Sequence, residues 1–290
     1  MGSYGLAMAE IRKVGVLGSG IMGSGLAEVI ARAGYDVVVR SRSQASADAM
    51  VASIDKGLTK AVERGKATED EKAAILSRIS ATDHIGQVAD CDLVIESVVE
   101  DLAIKKALFV ELEQIVKPGG ILATNTSTLP VVELAMVTKR PELVCGIHFF
   151  NPAPAMKLVE VIRPITAADD TIATALAFAT QCGKDAVEVA DRAGFIVNAL
   201  LFPYLNNAVR MVENGTAALE DIDTAMKGGC NFPMGPFALL DLVGLDTSLA
   251  ILDALYAEFR DPNYAAVPLL RRMVAAGHLG RKTKRGFFSY

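Results

Sequence analysis

The chain has 290 residues, 51% of them hydrophobic and 22% charged, with a formal net charge of -5. That length supplies a sizeable core in one large domain or two ordinary ones, and the composition excludes a disordered chain. The mild acidity lacks the basic stripe of a nucleic-acid binder, and no apolar run approaches the ~20 residues that cross a bilayer, so neither nucleic acid nor membrane is an expected partner.

Met1 to Ala9 has no periodicity and no basic start followed by a hydrophobic block, so it is set aside from the fold and a cytoplasmic location is expected. A first strand is expected in "KVGVLG", then a helix in "SGLAEVIARAG", a strand in "DVVVR" and a helix over Ala45 to Gly65. The rhythm continues through "CDLVIES", the helical "IKKALFVELEQIV" and "GILATNT". Strands alternating with helices in this way make βαβ units, and therefore an α/β, doubly wound, mostly parallel sheet covered on both faces. "ELVCGIHFF" and "MKLVEVIRP" are separated only by "NPAPA", too short for a crossover helix, so these two strands should pair antiparallel at the sheet's edge. From residue 191 the spacing turns helical, in Phe195 to Val212, Leu219 to Met226, Pro236 to Phe259 and Val267 to Ala276. Residues 10–190 and 191–290 are thus expected to form a dinucleotide-binding domain and an all-α domain, with a ligand in the cleft between them. Pro203, inside the first of those helices, should remove a backbone hydrogen bond and bend the axis.

In "LGSGIMGSGLA", Gly18, Gly20 and Gly23 form G-x-G-x-x-G directly after a strand and at the start of a helix. Glycine at 18 permits the turn, at 20 it lets the backbone approach a pyrophosphate, and at 23 it allows helix to pack on strand. Ile21 and Met22 complete the loop whose N–H groups, with the helix N-terminus, face the anion. Where an NAD site carries an acidic residue, about 20 residues on, this chain has Arg40, Ser41 and Arg42. A carboxylate there would repel the 2′-phosphate of NADP, whereas Ser41 and Arg42 can bind it and Arg40 can stack on adenine. NADP(H) is therefore favoured over NAD(H). The alternative is that the arginines are a solvated strand end and that NAD binds with weaker ribose contacts.

If the "GIHFFNPAPAMKLVEVI" strands form a hairpin centred near Pro154, His148 falls opposite Glu160. Opposed side chains have Cβ atoms about 4.5–5.5 Å apart, so a carboxylate can bond one imidazole nitrogen while the other faces substrate. Such a pair makes a general base; the alternative is a structural histidine in the sheet. Cys91, Cys145, Cys182 and Cys230 are far apart, without histidines at metal-site intervals, so no metal or disulfide framework is expected.

From Arg12 to Tyr290 the sequence resembles the 3-hydroxyacyl-CoA dehydrogenases, most nearly the short bacterial 3-hydroxybutyryl-CoA dehydrogenases, through "GSGIMGSGLA", "CDLVIESVVEDLAIKK", "ILATNTSTLP", "GIHFFNPAPAMKLVEVI", "GFIVNALLFPYLNNAV", "PMGPFALLDLVGLDT" and "GRKTKRGFF". The resemblance implies a Rossmann-type domain followed by a helical domain that mediates homodimerisation. It implies an acyl-CoA substrate, His148 as catalytic base and Glu160 as its partner, with Ser127 and Asn198 at the substrate's 3-oxygen and thioester. It implies Glu100, Lys105, Asn125 and Asn151 around the nicotinamide ribose, and Lys60 and Arg64 near the adenosine phosphates of coenzyme A. Without it, Ser127 reads as turn chemistry, Asn198 as an early helix residue, Glu100 and Lys105 as a solvated helix start, and Lys60 with Arg64 as a solvated face. Relatives commonly have Asp where this chain has Ser41. The alternatives are a related dehydrogenase of free hydroxy acids or sugar acids, or a non-enzymatic protein of the same fold.

Overall fold

The structure, a computed structural model, describes residues 10–290; Met1 to Ala9 falls outside the described residues. The chain forms two compact units, the first ending at Asp191 and the second spanning Arg192–Tyr290.

The first unit is built on strands β1 (Lys13–Leu17), β2 (Asp36–Arg40), β3 (Ile79–Thr82), β4 (Leu93–Glu96), β5 (Ile121–Thr124), β6 (Val144–Phe149), β7 (Leu158–Arg163) and β8 (Asp185–Ala190). Its helices are α1 (Ile21–Arg32), α2 (Gln44–Glu63), α3 (Glu69–Ser77), α4 (Leu102–Ile115), α5 (Val131–Ala135) and α6 (Asp169–Gln181). All eight strands join one sheet in the order β3-β2-β1-β4-β5-β6-β7-β8. Strands β1 to β6 run parallel, β7 is antiparallel to β6, and β8 is parallel to β7. The central strands are apolar without alternation, and Val14, Val16, Leu93, Ile95 and Leu122 are fully buried, as a sheet covered on both faces requires.

Two strands in this unit escape the sequence pattern. The β6–β7 pair was expected at the sheet's edge, but β8 lies outside it, brought alongside β7 by the α6 crossover. The residues of β8 are none of them buried, the condition of an edge strand, and its periodicity is correspondingly faint. The opposite edge is β3, whose "ISAT" is too short and polar to signal a strand. Local capping starts the helices: Ser43 accepts a hydrogen bond from Ser46 N at α2, Thr68 and Glu71 form a reciprocal capping box at α3, and Asp101 accepts from Ile104 N at α4.

The second unit is helical: α7 (Val197–Glu213), α8 (Leu219–Cys230), α9 (Pro236–Val243), α10 (Leu245–Phe259) and α11 (Pro268–Ala275). Phe202, Leu205, Phe237, Leu240, Leu252 and Leu255 form its core, and Pro203 sits within α7. The single helix expected over Pro236 to Phe259 is two, because Gly244 takes φ 102°, a backbone conformation that ends α9 and begins α10. Among the described residues no helix is long and apolar enough to cross a membrane.

Candidate active site

The turn between β1 and α1 uses each of its glycines differently. Gly18 has φ 122°, and a Cβ there would fall 2.2 Å from the Ser97 carbonyl oxygen. A Cβ on Gly23 would fall 2.0 Å from the Gly18 carbonyl oxygen, so helix and loop pack backbone to backbone. Gly20 is the reverse case: it is the N-cap of α1, no side chain caps the helix there, and a Cβ on it would meet nothing within 4 Å. Open space above uncapped N–H groups at a positive helix end fits the pyrophosphate of a dinucleotide. Ile21 is exposed and Met22 half-buried, and no acidic residue stands in the first turn to oppose an anion.

At the end of β2, Ser41 is buried, Arg42 is exposed, and the half-buried Arg40 donates through Nε to the Asp83 carbonyl at 3.3 Å. None of residues Arg40 to Ser43 is acidic, at the position where a ribose-binding acid would stand.

The hairpin register places His148 directly opposite Glu160. Nδ1 of His148 is 2.8 Å from Oε2 of Glu160, and both residues are buried. On the other side of the ring, Nε2 lies 3.0 Å from the Ser127 hydroxyl. A carboxylate against Nδ1 draws the proton to that nitrogen, leaving Nε2 as the acceptor, which is the tautomer a general base needs. The Phe150 ring packs on the imidazole with centroids 4.5 Å apart.

Ser127 belongs to the turn after β5, and the exposed Glu100 carboxylate holds that turn. Glu100 accepts from Ser127 N at 3.0 Å and from the Thr126 hydroxyl, while Asn125 Oδ1 accepts from Phe149 N at 2.8 Å, tying the turn to β6. Lys105 Nζ bonds Glu96 at 2.6 Å and Glu100 at 3.2 Å. The solvated helix start that Glu100 and Lys105 formed when taken singly is corrected at Lys105, which is 1% exposed. The sequence pattern missed Glu96 altogether. It is fully buried and accepts from Lys105, from the Thr124 hydroxyl at 2.8 Å and from Val98 N at 2.6 Å. The available signal was a carboxylate closing an otherwise apolar strand, "CDLVIES", at the carboxyl end where open α/β sheets bind ligands.

Asn151, Lys60 and Arg64 take no part in these hydrogen bonds. Asn151 is exposed, two residues after the strand that carries His148. Lys60 lies in the last turn of α2 and Arg64 is its C-cap; both are exposed and bond to none of the residues around His148. Asn198 belongs to the second unit, where it is buried in the first turn of α7.

Residues 13–192 match the family model for the 3-hydroxyacyl-CoA dehydrogenase NAD binding domain, and residues 194–290 match that for the C-terminal domain. The chain belongs to the 3-hydroxyacyl-CoA dehydrogenase family. A 3-hydroxybutyryl-CoA dehydrogenase of Clostridioides difficile is 49% identical over 278 residues, spanning 96% of this chain and 99% of that one. The crystal structure of Mycobacterium tuberculosis FadB2 is similar at TM-score 0.95 and 48% identity, covering 97% of this chain and 100% of that one. The crystal structure of (S)-3-hydroxybutyryl-CoA dehydrogenase PaaH1 from Ralstonia eutropha has TM-score 0.94 at 42% identity, covering 97% and 99%. In this 3-hydroxyacyl-CoA dehydrogenase chain, the glycine-rich turn and the His148 hairpin both fall within the part matched by the NAD binding domain.

Proposed function

We propose that the chain interconverts (S)-3-hydroxybutyryl-CoA, or a similarly short 3-hydroxyacyl-CoA, and acetoacetyl-CoA, with a nicotinamide cofactor. The observation that carries this reading is the line Ser127, His148, Glu160, with hydrogen bonds of 3.0 and 2.8 Å to the two imidazole nitrogens. The names of the relatives support the substrate class. When bound, the cofactor supplies the hydride acceptor or donor for carbon 3.

In oxidation, Nε2 of His148 takes the proton of the 3-hydroxyl as carbon 3 gives up its hydride and becomes a carbonyl. In reduction, the imidazolium returns that proton to the 3-oxygen. Glu160 keeps Nδ1 protonated and stabilises the imidazolium, and Ser127 hydrogen-bonds the 3-oxygen. Glu100, Lys105, Asn125 and Asn151 hold the nicotinamide ribose; Asn198 serves the thioester region; Lys60 and Arg64 meet the adenosine phosphates of coenzyme A. These assignments rest on the family motifs. No metal is needed for a hydroxyl already polarised by His148 and Ser127.

The cofactor we assign is NADP(H) in preference to NAD(H), through Ser41 and Arg42 with Arg40 beside the adenine. An exposed guanidinium at Arg42, in a strand end that carries no acidic residue from Arg40 to Ser43, suits a doubly charged phosphate. The second unit is assigned the interface of a homodimer.

Initial rates with acetoacetyl-CoA and with free acetoacetate, each with NADPH and NADH, test the reading. Turnover of the thioester, faster with NADPH, is expected. Turnover of acetoacetate alone overturns the substrate class, and a clear preference for NADH overturns the cofactor.

A further inference from the structure

Lys184, the residue before β8, is buried, yet among the described residues no carboxylate is bonded to it. Its Nζ donates instead to two backbone carbonyls, those of Ala153 at 2.7 Å and Met156 at 2.8 Å. Both belong to the connection between β6 and β7, which begins at Phe150, two residues after His148, and includes Asn151. Burial holds the Lys184 ammonium below the usual lysine range. Both of these hydrogen bonds go to carbonyl dipoles, with the Glu28 carboxylate of α1 acting on the cation only at longer range, and their geometric consequence is a two-point tie across the connection.

The connection also rests on α1. A Cβ placed on Gly25 would lie 3.2 Å from Ala153 Cβ and 3.4 Å from Pro154 Cδ, so only the missing side chain lets helix and connection touch without displacement. Ala153 is buried in this contact. The connection is thus tied by Lys184 and seated against the helix that begins at the glycine-rich turn. Neither Lys184 nor Gly25 belongs to the residues assigned to the cofactor or the substrate.

We propose that Lys184 and Gly25 are positioning residues, which set the spacing between the phosphate-binding helix α1 and the His148 hairpin and so align the hydride transfer. The proposal rests on the dehydrogenase reading above. A dinucleotide anchored at its pyrophosphate presents its nicotinamide at a fixed reach, and the base must stand at the matching place. Displacement of the order of 1 Å can cost about 10²-fold in rate without weakening binding.

The test compares the full-length protein with Lys184→Met, Lys184→Arg and Gly25→Ala. Three quantities are read: amide hydrogen exchange over residues 152–157, NADPH and NADH affinity by fluorescence, and kcat with its deuterium isotope effect using cofactor labelled at nicotinamide C4. In Lys184→Met the amides of Ala155 and Met156 should exchange faster, since both bond Pro152 O inside the tied segment. Its kcat should fall about 10- to 100-fold with a larger isotope effect, while cofactor affinity stays within about threefold. Lys184→Arg, which keeps cationic donors, should recover part of the rate. Gly25→Ala should lower kcat with the same signature, and it carries the test alone if Lys184→Met does not fold. An unchanged kcat and isotope effect, or a rate loss matched by lost affinity or lost folded protein, overturns the proposal. No turnover by the unmodified protein sinks the dehydrogenase reading and the alignment role with it; normal turnover there beside unaltered variants sinks the alignment role only.

Discussion

Glu160 faces His148 across adjacent antiparallel strands, with its Oε2 2.8 Å from the imidazole Nδ1. Because the carboxylate holds one ring nitrogen and Ser127 the other, the ring has a fixed orientation before any substrate arrives. His148→Gln should lose about 10²–10⁴-fold in kcat and still bind acetoacetyl-CoA. Initial rates and calorimetric titration check this together, and unimpaired turnover would remove His148 from the mechanism.

The end of β2 sets a second expectation. Ser41→Asp places a carboxylate where the 2′-phosphate is assigned. A charge-assisted hydrogen bond is worth about 1.5–3 kcal/mol, so kcat/KM with NADPH should fall about 10- to 100-fold while that with NADH holds or rises. Steady-state kinetics with both cofactors decide the matter, and equal losses for the two would show that Ser41 does not meet the phosphate.

Gly18 and Gly20 should respond in opposite ways to one added methyl group. At Gly18, with φ 122° and a backbone oxygen 2.2 Å from the new Cβ, alanine should destabilise the fold by roughly 1–3 kcal/mol or more. At Gly20 the new Cβ meets no protein atom within 4 Å, so alanine should leave Tm unchanged and weaken cofactor binding. Thermal denaturation beside fluorescence titration separates the two, and a Gly20→Ala protein with native affinity would contradict the pyrophosphate assignment.

Two neighbouring lysines on α4 offer a stability contrast. Lys105 is sealed between Glu96 and Glu100, whereas Lys106 pairs with Glu133 at a partly exposed site. Breaking a buried pair leaves an unanswered charge and typically costs about 3–5 kcal/mol, against about 0–1 kcal/mol for a surface pair. Urea unfolding of Lys105→Met and Lys106→Met should show that difference; similar midpoints would mean that water reaches Glu96 once Lys105 is gone.

Much of the first unit was legible because its signals are local. β-branched runs spaced by amphipathic stretches mark β1, α1, β2, β4, α4 and β5, and the glycine spacing marks the turn between β1 and α1. β8 and β3 were not legible, since edge strands need bury little and so carry little pattern. The break between α9 and α10 turns on one backbone dihedral at Gly244 inside an otherwise unbroken apolar rhythm.

The sequence by itself determined the opposition of His148 and Glu160, because a short connection between two strands admits one register and a period of two decides which side chains meet. It likewise determined the glycine-rich turn. Only the tertiary structure decided that Lys105 is buried while Lys106 is not, that Glu96 closes its strand under the Ser127 turn, and that Lys184 grips carbonyls from a segment about 30 residues earlier. A charge is stabilised by whatever surrounds it in space, and those neighbours come from strands and helices that no local spacing brings together.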